Sequence, residues 1–98
     1  MPTPSPLDHT EIQHALAALP DWRYEGGALA KTFELGSFRA AMSFLVRLGF
    51  EAEQRNHHPE IRNVYGRVEI VLRTHDAGNA VTALDVELAR AIEAFAWT

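Results

Sequence analysis

Apolar side chains recur every three or four residues in three segments of the chain, which is the spacing of one buried helix face. This spacing predicts helices over residues 8–19 and 38–54, and a last helix that begins after Thr82. Pro20 is expected to end the first helix, because proline cannot continue the helical hydrogen bonding. The three apolar stripes are formed by Ile12, Ala15, Leu16 and Leu19, by Phe38, Ala41, Met42, Leu45, Leu48 and Ala52, and by Leu84, Leu88, Ala91, Ile92 and Phe95.

Polar residues stand where each helix is expected to begin. Asp8 precedes Glu11 by three residues, which is the spacing of a capping box. Thr82 precedes Asp85 by the same interval and predicts a second capping box. Ser37 is placed to cap the second helix through its hydroxyl. These caps define the helix starts independently of the apolar stripes.

Two segments alternate apolar and polar residues in the manner of β-hairpins. In WRYEGGALAKTFEL, residues 22–35, Gly26-Gly27 interrupts the alternation and indicates a tight turn. In IRNVYGRVEIVLRT, residues 61–74, Gly66 marks a tight connection or a bulge. The element order α-β-β-α-β-β-α predicts a two-layer α+β fold, in which three helices pack on one face of a four-stranded antiparallel sheet.

Composition and charge narrow the classes of function. The net charge of −4 argues against nonspecific nucleic-acid binding, which requires a basic face. The chain has no cysteine, so a thiolate metal site and a cysteine nucleophile are excluded. No apolar run approaches the ~20 residues of a membrane span, and the N-terminal segment lacks the features of a signal peptide. We therefore expect residues 1–98 to form one cytoplasmic domain, with residues 1–7 as an extended lead-in.

The segment NHHPE, residues 56–60, places His57 beside His58 immediately before Pro59. A proline restricts the residue that precedes it, so this segment is expected to be a loop between the second helix and the third strand. If the third and fourth strands form an antiparallel hairpin, the third begins where the fourth ends. His75, at the end of the fourth strand, is then expected to approach the histidine pair.

Three interpretations of these histidines follow from their chemistry. Imidazoles exchange protons near neutral pH, so the group suits acid–base catalysis without a metal. Three histidines with Asp85 or Glu53 would also suffice as zinc ligands, although their spacing matches no zinc motif. In the third interpretation the histidines are surface or capping residues, Asp85 only caps its helix, and Glu53 is an exposed helix residue.

The spacing of the candidate residues forms a compound motif: Glu53, three residues, His57-His58-Pro59, five residues, Tyr65, nine residues, His75, nine residues and Asp85. This motif resembles that of the pterin-4a-carbinolamine dehydratases and is far more specific than an isolated His-His-Pro. The resemblance extends over nearly the whole chain, including the region of Trp22, the strand of Phe33 and the segment SFRAAMSFL.

The resemblance implies a fold and an activity. The family has the α+β layout described above and dehydrates 4a-hydroxytetrahydropterin to the quinonoid dihydropterin, with no metal or organic cofactor. Its three active-site histidines correspond to His57, His58 and His75, and its acidic residue corresponds to Asp85. The residues expected to bind or orient the pterin are Asp85, Glu53, Pro59 and Thr74.

The resemblance also suggests roles for the individual side chains. Our hypothesis is that His58 and His75 exchange protons with the substrate while His57 binds it and assists. Asp85 would orient His75 or another histidine, or hydrogen-bond the pterin. Many family members carry an aromatic residue directly after His-His-Pro-Glu, where this chain has Ile61. An aliphatic side chain covers a flat ring but cannot stack on it as an aromatic residue does. Ile61 is therefore expected to affect the affinity for the pterin and the preference for its side chain.

The family resemblance implies partners as well as a substrate. We expect a homodimer or homotetramer, and a functional link to an aromatic amino acid hydroxylase whose cofactor the reaction recycles. Two alternatives stay open. In the first, the chain keeps the fold but acts as a non-catalytic interaction protein, as the coactivators among the family members do. In the second, it serves another pterin pathway, such as molybdenum-cofactor metabolism.

Overall fold

The structure, a computed structural model, describes residues 4–96. Within these residues the chain forms three α-helices and four strands in the predicted order, so the predicted α+β fold is confirmed. A short 3₁₀ turn, His75–Ala77, lies in the segment predicted to be a loop before the last helix. The elements are α1 (His9–Leu16), β1 (Arg23–Glu25), β2 (Ala28–Glu34), α2 (Phe38–Arg55), β3 (Glu60–Val64), β4 (Arg67–Leu72) and α3 (Ala83–Phe95).

The strands form one antiparallel sheet in the order β1-β2-β4-β3. Both predicted hairpins are present, and each has a two-residue connection. Gly26 and Gly27 have positive φ angles of 59° and 77°, which suit the tight turn between β1 and β2. Tyr65 and Gly66 make the tight connection between β3 and β4. A Cβ atom at position 66 would lie 2.8 Å from the Ser37 amide nitrogen, so glycine is required there.

The core lies between the sheet and the helices. Leu29 of β2 pairs with Leu72 of β4, and both side chains are buried against the helices. Trp22 is also buried, whereas Trp97 lies outside the described residues. The buried cluster further contains Ile12, Ala15, Leu19, Phe33, Leu35, Ala41, Phe44, Leu48, Val68, Ile70, Val81, Val86, Leu88, Ala89 and Ile92.

The first helix is shorter than predicted, because α1 ends at Leu16 and not at residue 19. The amide of Leu19 donates to the carbonyl oxygen of Leu16 (3.1 Å), and that of Trp22 donates to Leu19 (3.2 Å), so tight turns replace the last helical turn. Pro20 is the physical reason, since the residue before a proline disfavours the helical conformation. Leu19 is nevertheless buried, so the stripe predicted the buried face correctly and the helix end wrongly.

The other two helices begin at their predicted caps. The Ser37 side chain caps α2, and Thr82 forms a capping box with Asp85 at the start of α3. α2 runs one residue further than predicted, to Arg55, and Asn56 ends it with a left-handed backbone conformation. Across residues 4–96, no helix is both long enough and apolar enough to cross a membrane.

Candidate active site

The end of α2 turns the chain into the histidine segment. Asn56 has φ 49° and ψ 42°, and the amide of His57 then donates to the carbonyl oxygen of Ala52 (3.0 Å). This is the closure of a Schellman-type helix end. It anchors the backbone of His57 to α2, and it leaves His58 and the half-buried Pro59 as the link to β3.

His57 turns into the protein and contacts α3. Its Nε2 atom lies 2.5 Å from Oδ1 of Asp85, a residue 28 positions further along the chain. Asp85 is fully buried and His57 is only 8% exposed, so the pair is largely shielded from water. The contact therefore depends on how α3 packs against the loop that follows α2.

The second carboxylate oxygen of Asp85 is held by two donors. Thr74 Oγ1 donates to Oδ2 at 2.9 Å, and the backbone amide of Thr82 donates to the same atom at 2.9 Å. The two threonine hydroxyls lie 2.7 Å apart, and both residues are buried. A buried carboxylate is tolerated only when its oxygens are hydrogen-bonded, and these donors together with His57 satisfy both oxygens.

His58 stays at the surface with a different partner. Its Nε2 atom lies 3.0 Å from Oε1 of Glu53, and the two side chains are 59% and 79% exposed. Such an exposed pair contributes little to stability, but it orients the ring. The adjacent histidines thus lie on two sides of the loop, His57 against Asp85 of α3 and His58 against Glu53 of α2.

His75 is the first residue of the 3₁₀ turn after β4, and it is exposed. Its Nδ1 atom lies 2.7 Å from Oδ1 of Asn79, which has a positive φ of 62°. The amide of Thr74 donates to the carbonyl oxygen of Ala80 (2.9 Å), which closes this loop at its base. Because an amide oxygen only accepts, Nδ1 of His75 carries the hydrogen and Nε2 is left for other partners.

The hairpin register brings these segments to one edge of the sheet. Glu60 at the start of β3 pairs with Val71 near the end of β4, as the predicted hairpin requires. Asp85 joins the two sides, since it bonds both to His57, which precedes β3, and to Thr74, which follows β4. The third histidine directly follows Thr74, so all three histidines belong to one connected group of segments.

Each histidine uses one ring nitrogen for an oxygen acceptor: Nε2 of His57, Nε2 of His58 and Nδ1 of His75. In a neutral imidazole one nitrogen carries the hydrogen and the other accepts, so each ring has its opposite nitrogen available for proton exchange. In the part of the chain that the structure describes, no three histidine or acidic side chains are grouped in a way that would hold a metal ion.

Two residues of the site were missed by sequence reasoning. Thr82 was predicted only as a helix cap, yet its backbone amide and hydroxyl both belong to the Asp85 network. Asn79 was not singled out at all, although its position four residues after His75 in a polar loop was a usable signal. Ile61 lies in β3 opposite the buried Ile70, on the sheet face that the helices cover, and is 46% exposed.

Comparison with known proteins identifies close relatives of the whole chain. A protein of Opitutus terrae, provisionally named pterin-4-alpha-carbinolamine dehydratase, is 56% identical over 94 residues, which are 96% of this chain and 97% of the relative. A protein of Bradyrhizobium diazoefficiens with the same provisional name is 52% identical over 86 residues, covering 86% of this chain and 85% of the relative.

Solved structures show the same fold. A crystal structure from Brucella melitensis, described as a transcriptional coactivator/pterin dehydratase, matches with a TM-score of 0.89 at 37% identity, covering 94% of this chain and 99% of that one. A pterin dehydratase-like protein identified as a RuBisCO assembly factor in the alpha-carboxysome matches with a TM-score of 0.67 at 27% identity, covering 80% of this chain and 92% of that one.

The family profile agrees with these relatives. The profile described as pterin 4 alpha carbinolamine dehydratase matches residues 5–95, which is nearly the whole chain. The resemblance inferred from the histidine motif is thereby confirmed. The chain belongs to the pterin 4 alpha carbinolamine dehydratase family.

Proposed function

We propose that this protein dehydrates 4a-hydroxytetrahydropterin to the quinonoid dihydropterin by acid–base chemistry of its histidines, with no metal or organic cofactor. One observation carries the proposal: on the fold of this family, three histidines each have one ring nitrogen hydrogen-bonded to an oxygen acceptor. That arrangement orients the rings and leaves a nitrogen on each for proton exchange.

The reaction needs two proton transfers and no change in oxidation state. Hydroxide is a poor leaving group, so an imidazolium donates a proton to the 4a-oxygen as the carbon–oxygen bond breaks and water departs. A neutral imidazole takes the proton from the adjacent ring nitrogen. The electron pair of that nitrogen–hydrogen bond becomes the new carbon–nitrogen double bond. The donor imidazole then takes a proton from solvent and the acceptor imidazole releases one to solvent, which restores both for the next turnover.

The exposure of the histidines supports a division of these roles. His58 and His75 are exposed, with Nδ1 and Nε2 respectively left for the substrate, and we assign the two proton transfers to them. His57 is buried against Asp85 and is assigned to binding and assistance. Glu53 orients His58 in this scheme, while Thr74 and Pro59 shape the loops on either side.

A stopped-flow assay of 4a-hydroxytetrahydropterin dehydration tests the proposal. We expect the wild-type protein to accelerate the reaction over its spontaneous rate. We expect His58→Ala and His75→Ala each to lower kcat by about 10²–10⁴-fold, the usual contribution of one proton transfer. His9→Ala is the matched control, because His9 is an exposed histidine of α1 outside the site, and it should leave kcat unchanged.

Two results would contradict this scheme in different ways. No acceleration by the wild-type protein would exclude the dehydratase activity itself. A normal kcat for His75→Ala at saturating substrate would leave the activity in place and remove His75 from the proton transfers.

We further propose that the protein is a homo-oligomer that pairs through the outer stripe of α2. This stripe consists of Arg39, Met42, Val46, Phe50 and Glu53, and Val46 and Phe50 are 61% and 71% exposed. Arg39 and Glu53 lie seven residues on either side of Val46. An antiparallel pair of α2 helices centred on Val46 would therefore place each arginine near the other copy's glutamate and cover the apolar residues between them.

A second candidate function is an interaction role on the same fold. The Brucella melitensis relative is described as both coactivator and dehydratase, and the carboxysome relative as an assembly factor. The exposed apolar residues of α2 give such a role a physical basis in this chain. A variant that loses dehydration activity but keeps its cellular function would favour the interaction role.

The two pterin pathways are distinguished by the neighbouring genes. A gene for an aromatic amino acid hydroxylase would favour cofactor recycling, and a gene for a molybdenum-cofactor enzyme would favour the other pathway.

A further inference from the structure

We infer that His57 exchanges its proton through Nδ1, and that Thr74 and Thr82 are positioning residues that hold the Asp85 carboxylate so that it fixes this tautomer. The inference rests on the proposed dehydratase function for its kinetic consequence only. Its structural part follows from hydrogen-bond directions at Asp85.

The directions around Asp85 Oδ2 follow from counting hydrogens. Two donors point at this oxygen, the Thr82 backbone amide and the Thr74 hydroxyl, each at 2.9 Å. An ionised carboxylate only accepts, so the single hydroxyl hydrogen of Thr74 is committed to Oδ2. The 2.7 Å contact between the two threonine hydroxyls must then be donated by Thr82. The result is a directed chain from Thr82 through Thr74 to Asp85.

Thr82 can donate its hydroxyl hydrogen to Thr74 because its other hydrogen bond uses only the hydroxyl oxygen. Its hydroxyl oxygen accepts from the backbone amide of Leu84 (3.2 Å), which is the ordinary role of a helix cap. Its hydroxyl hydrogen is therefore free for Thr74. One threonine thus serves both the start of α3 and the carboxylate that meets His57.

The same counting fixes the tautomer of His57. Oδ1 of Asp85 faces Nε2 of His57 at 2.5 Å. When the carboxylate is ionised and the ring is neutral, the hydrogen between them is the one on Nε2, so Nδ1 carries the lone pair. When the ring is protonated, Nδ1 carries the second hydrogen. In both states the proton that His57 gains or loses is the one at Nδ1.

Nδ1 is also accessible for this exchange. Within residues 4–96, no hydrogen bond involves Nδ1 of His57, and this atom is not among the buried side-chain nitrogens and oxygens that lack a hydrogen-bond partner. Nδ1 therefore keeps contact with solvent even though the residue as a whole is buried. Its partner nitrogen is closed off by Asp85, so substrate or water meets His57 at Nδ1.

The first experiment reads the tautomer directly, by ¹⁵N NMR of the His57 ring in the substrate-free protein at alkaline pH. We expect the wild-type ring to carry its hydrogen on Nε2. In Asp85→Asn, the carboxamide oxygen is expected to take the place of Oδ2, because two donors converge there. Its NH₂ group then faces His57, which forces the hydrogen onto Nδ1. We expect kcat of this variant to fall roughly tenfold or more, because His57 then presents a hydrogen instead of a lone pair at Nδ1.

The second experiment removes the supporting hydroxyls one at a time. Without one of these hydroxyls the Asp85 carboxylate is expected to turn away from His57 in part of the molecules, so Thr74→Val and Thr82→Val should each lower kcat roughly tenfold or more and yield a mixture of His57 tautomers. Thr82→Ser should restore both properties, because serine keeps the hydroxyl. Thr32→Val is the matched control, since Thr32 lies on the opposite face of the sheet, and it should change neither. The Thr74 side chain does not cap a helix, so Thr74→Val still tests the inference if Thr82→Val fails to fold.

Three outcomes would overturn the inference. They are a neutral wild-type ring with its hydrogen on Nδ1, an unchanged tautomer in Asp85→Asn, or a switched tautomer with normal kcat. Because the tautomer is read without substrate, these results are distinguishable from a failure of the proposed function, which would appear as absent wild-type acceleration with the tautomer as inferred.

Discussion

Asn56 carries the chain from α2 into the histidine segment in a conformation that few side chains adopt. Its φ of 49° lies in the left-handed region, where a Cβ atom meets the backbone unfavourably. Asparagine tolerates this region better than most residues because its short side chain bonds locally. Since His57 follows at once, with its amide bonded back to Ala52, this single backbone conformation sets where the buried histidine starts.

Replacement of Asn56 tests how much its left-handed backbone conformation costs in stability. Asn56→Ala is expected to lower the free energy of unfolding by roughly 1 kcal/mol, the cost of a left-handed conformation for an ordinary residue. Asn56→Gly is the control and should be nearly neutral, because glycine adopts positive φ without that cost. Urea denaturation measures both. Equal stability of the alanine and glycine variants would show that the backbone conformation at position 56 is not the source of the effect.

α2 is held together near its end by an acidic residue between two arginines. Glu51 accepts from Arg47 Nε (2.9 Å) and from Arg55 Nη1 (2.8 Å), one helical turn on either side. The hydrogen bonds from Arg47 and then Arg55 lower the pKa of Glu51 below its usual value of 4.5. This group steadies the last turns of the helix that presents Glu53 and leads into His57.

The lowered pKa predicts a pH-dependent contribution to stability. A carboxyl whose pKa is lower in the folded state stabilises the protein above its unfolded pKa, and the stabilisation is lost as pH falls through the folded pKa. Glu51→Gln should therefore be less stable than wild type near neutral pH. The difference should shrink once the pH drops below 4.5. Thermal unfolding of both proteins across this range measures it, and a difference that grows on acidification would contradict the prediction.

The candidate site is assembled from four segments of the chain, and no single segment would form it. α2 supplies Glu53, the loop before β3 supplies the histidine pair, the segment after β4 supplies Thr74 and His75, and α3 supplies Asp85. Both exposed histidines lie at the surface of one protomer, and Glu53 also lies on the outer stripe of α2. Self-association through this stripe would therefore occur next to the site.

A charge placed at the centre of the stripe tests this assembly. Val46→Glu should convert the oligomer to monomers, because two like charges facing each other across a two-fold axis cost several kcal/mol. Light scattering after size-exclusion chromatography measures the mass. Val64→Glu is the matched control, since Val64 is also exposed, at 47%, but lies at the end of β3. If Val64→Glu dissociated the oligomer and Val46→Glu did not, the interface would lie on the sheet and not on α2.

Interactions between near neighbours in the chain account for what could be predicted from the sequence. The capping residues Asp8, Ser37 and Thr82 act on backbone amides within three positions, so the helix starts were correct. Apolar periodicity predicted the buried face of α2 in part, since Ala41, Leu48 and Ala52 are buried whereas Phe38 is 55% exposed. The turn glycines predicted both hairpins. The end of the first helix was wrong because Pro20 acts on residues before it and outweighs the apolar stripe.

Contacts between distant segments were settled by packing. Nothing near Asp85 in the chain distinguishes His57 from His75 as its partner, because either imidazole is chemically suitable. The choice follows from the position of α3 against β4, which buries Asp85 beside Thr74 and brings His57 to the remaining oxygen. The residue types and their order thus predicted the fold, which the structure confirms, and a set of candidate site residues. The pairing of His57 with Asp85, and hence which of its ring nitrogens stays unpaired, came from the way the layers pack, whereas His58 and His75 bond to residues five and four positions away in the chain.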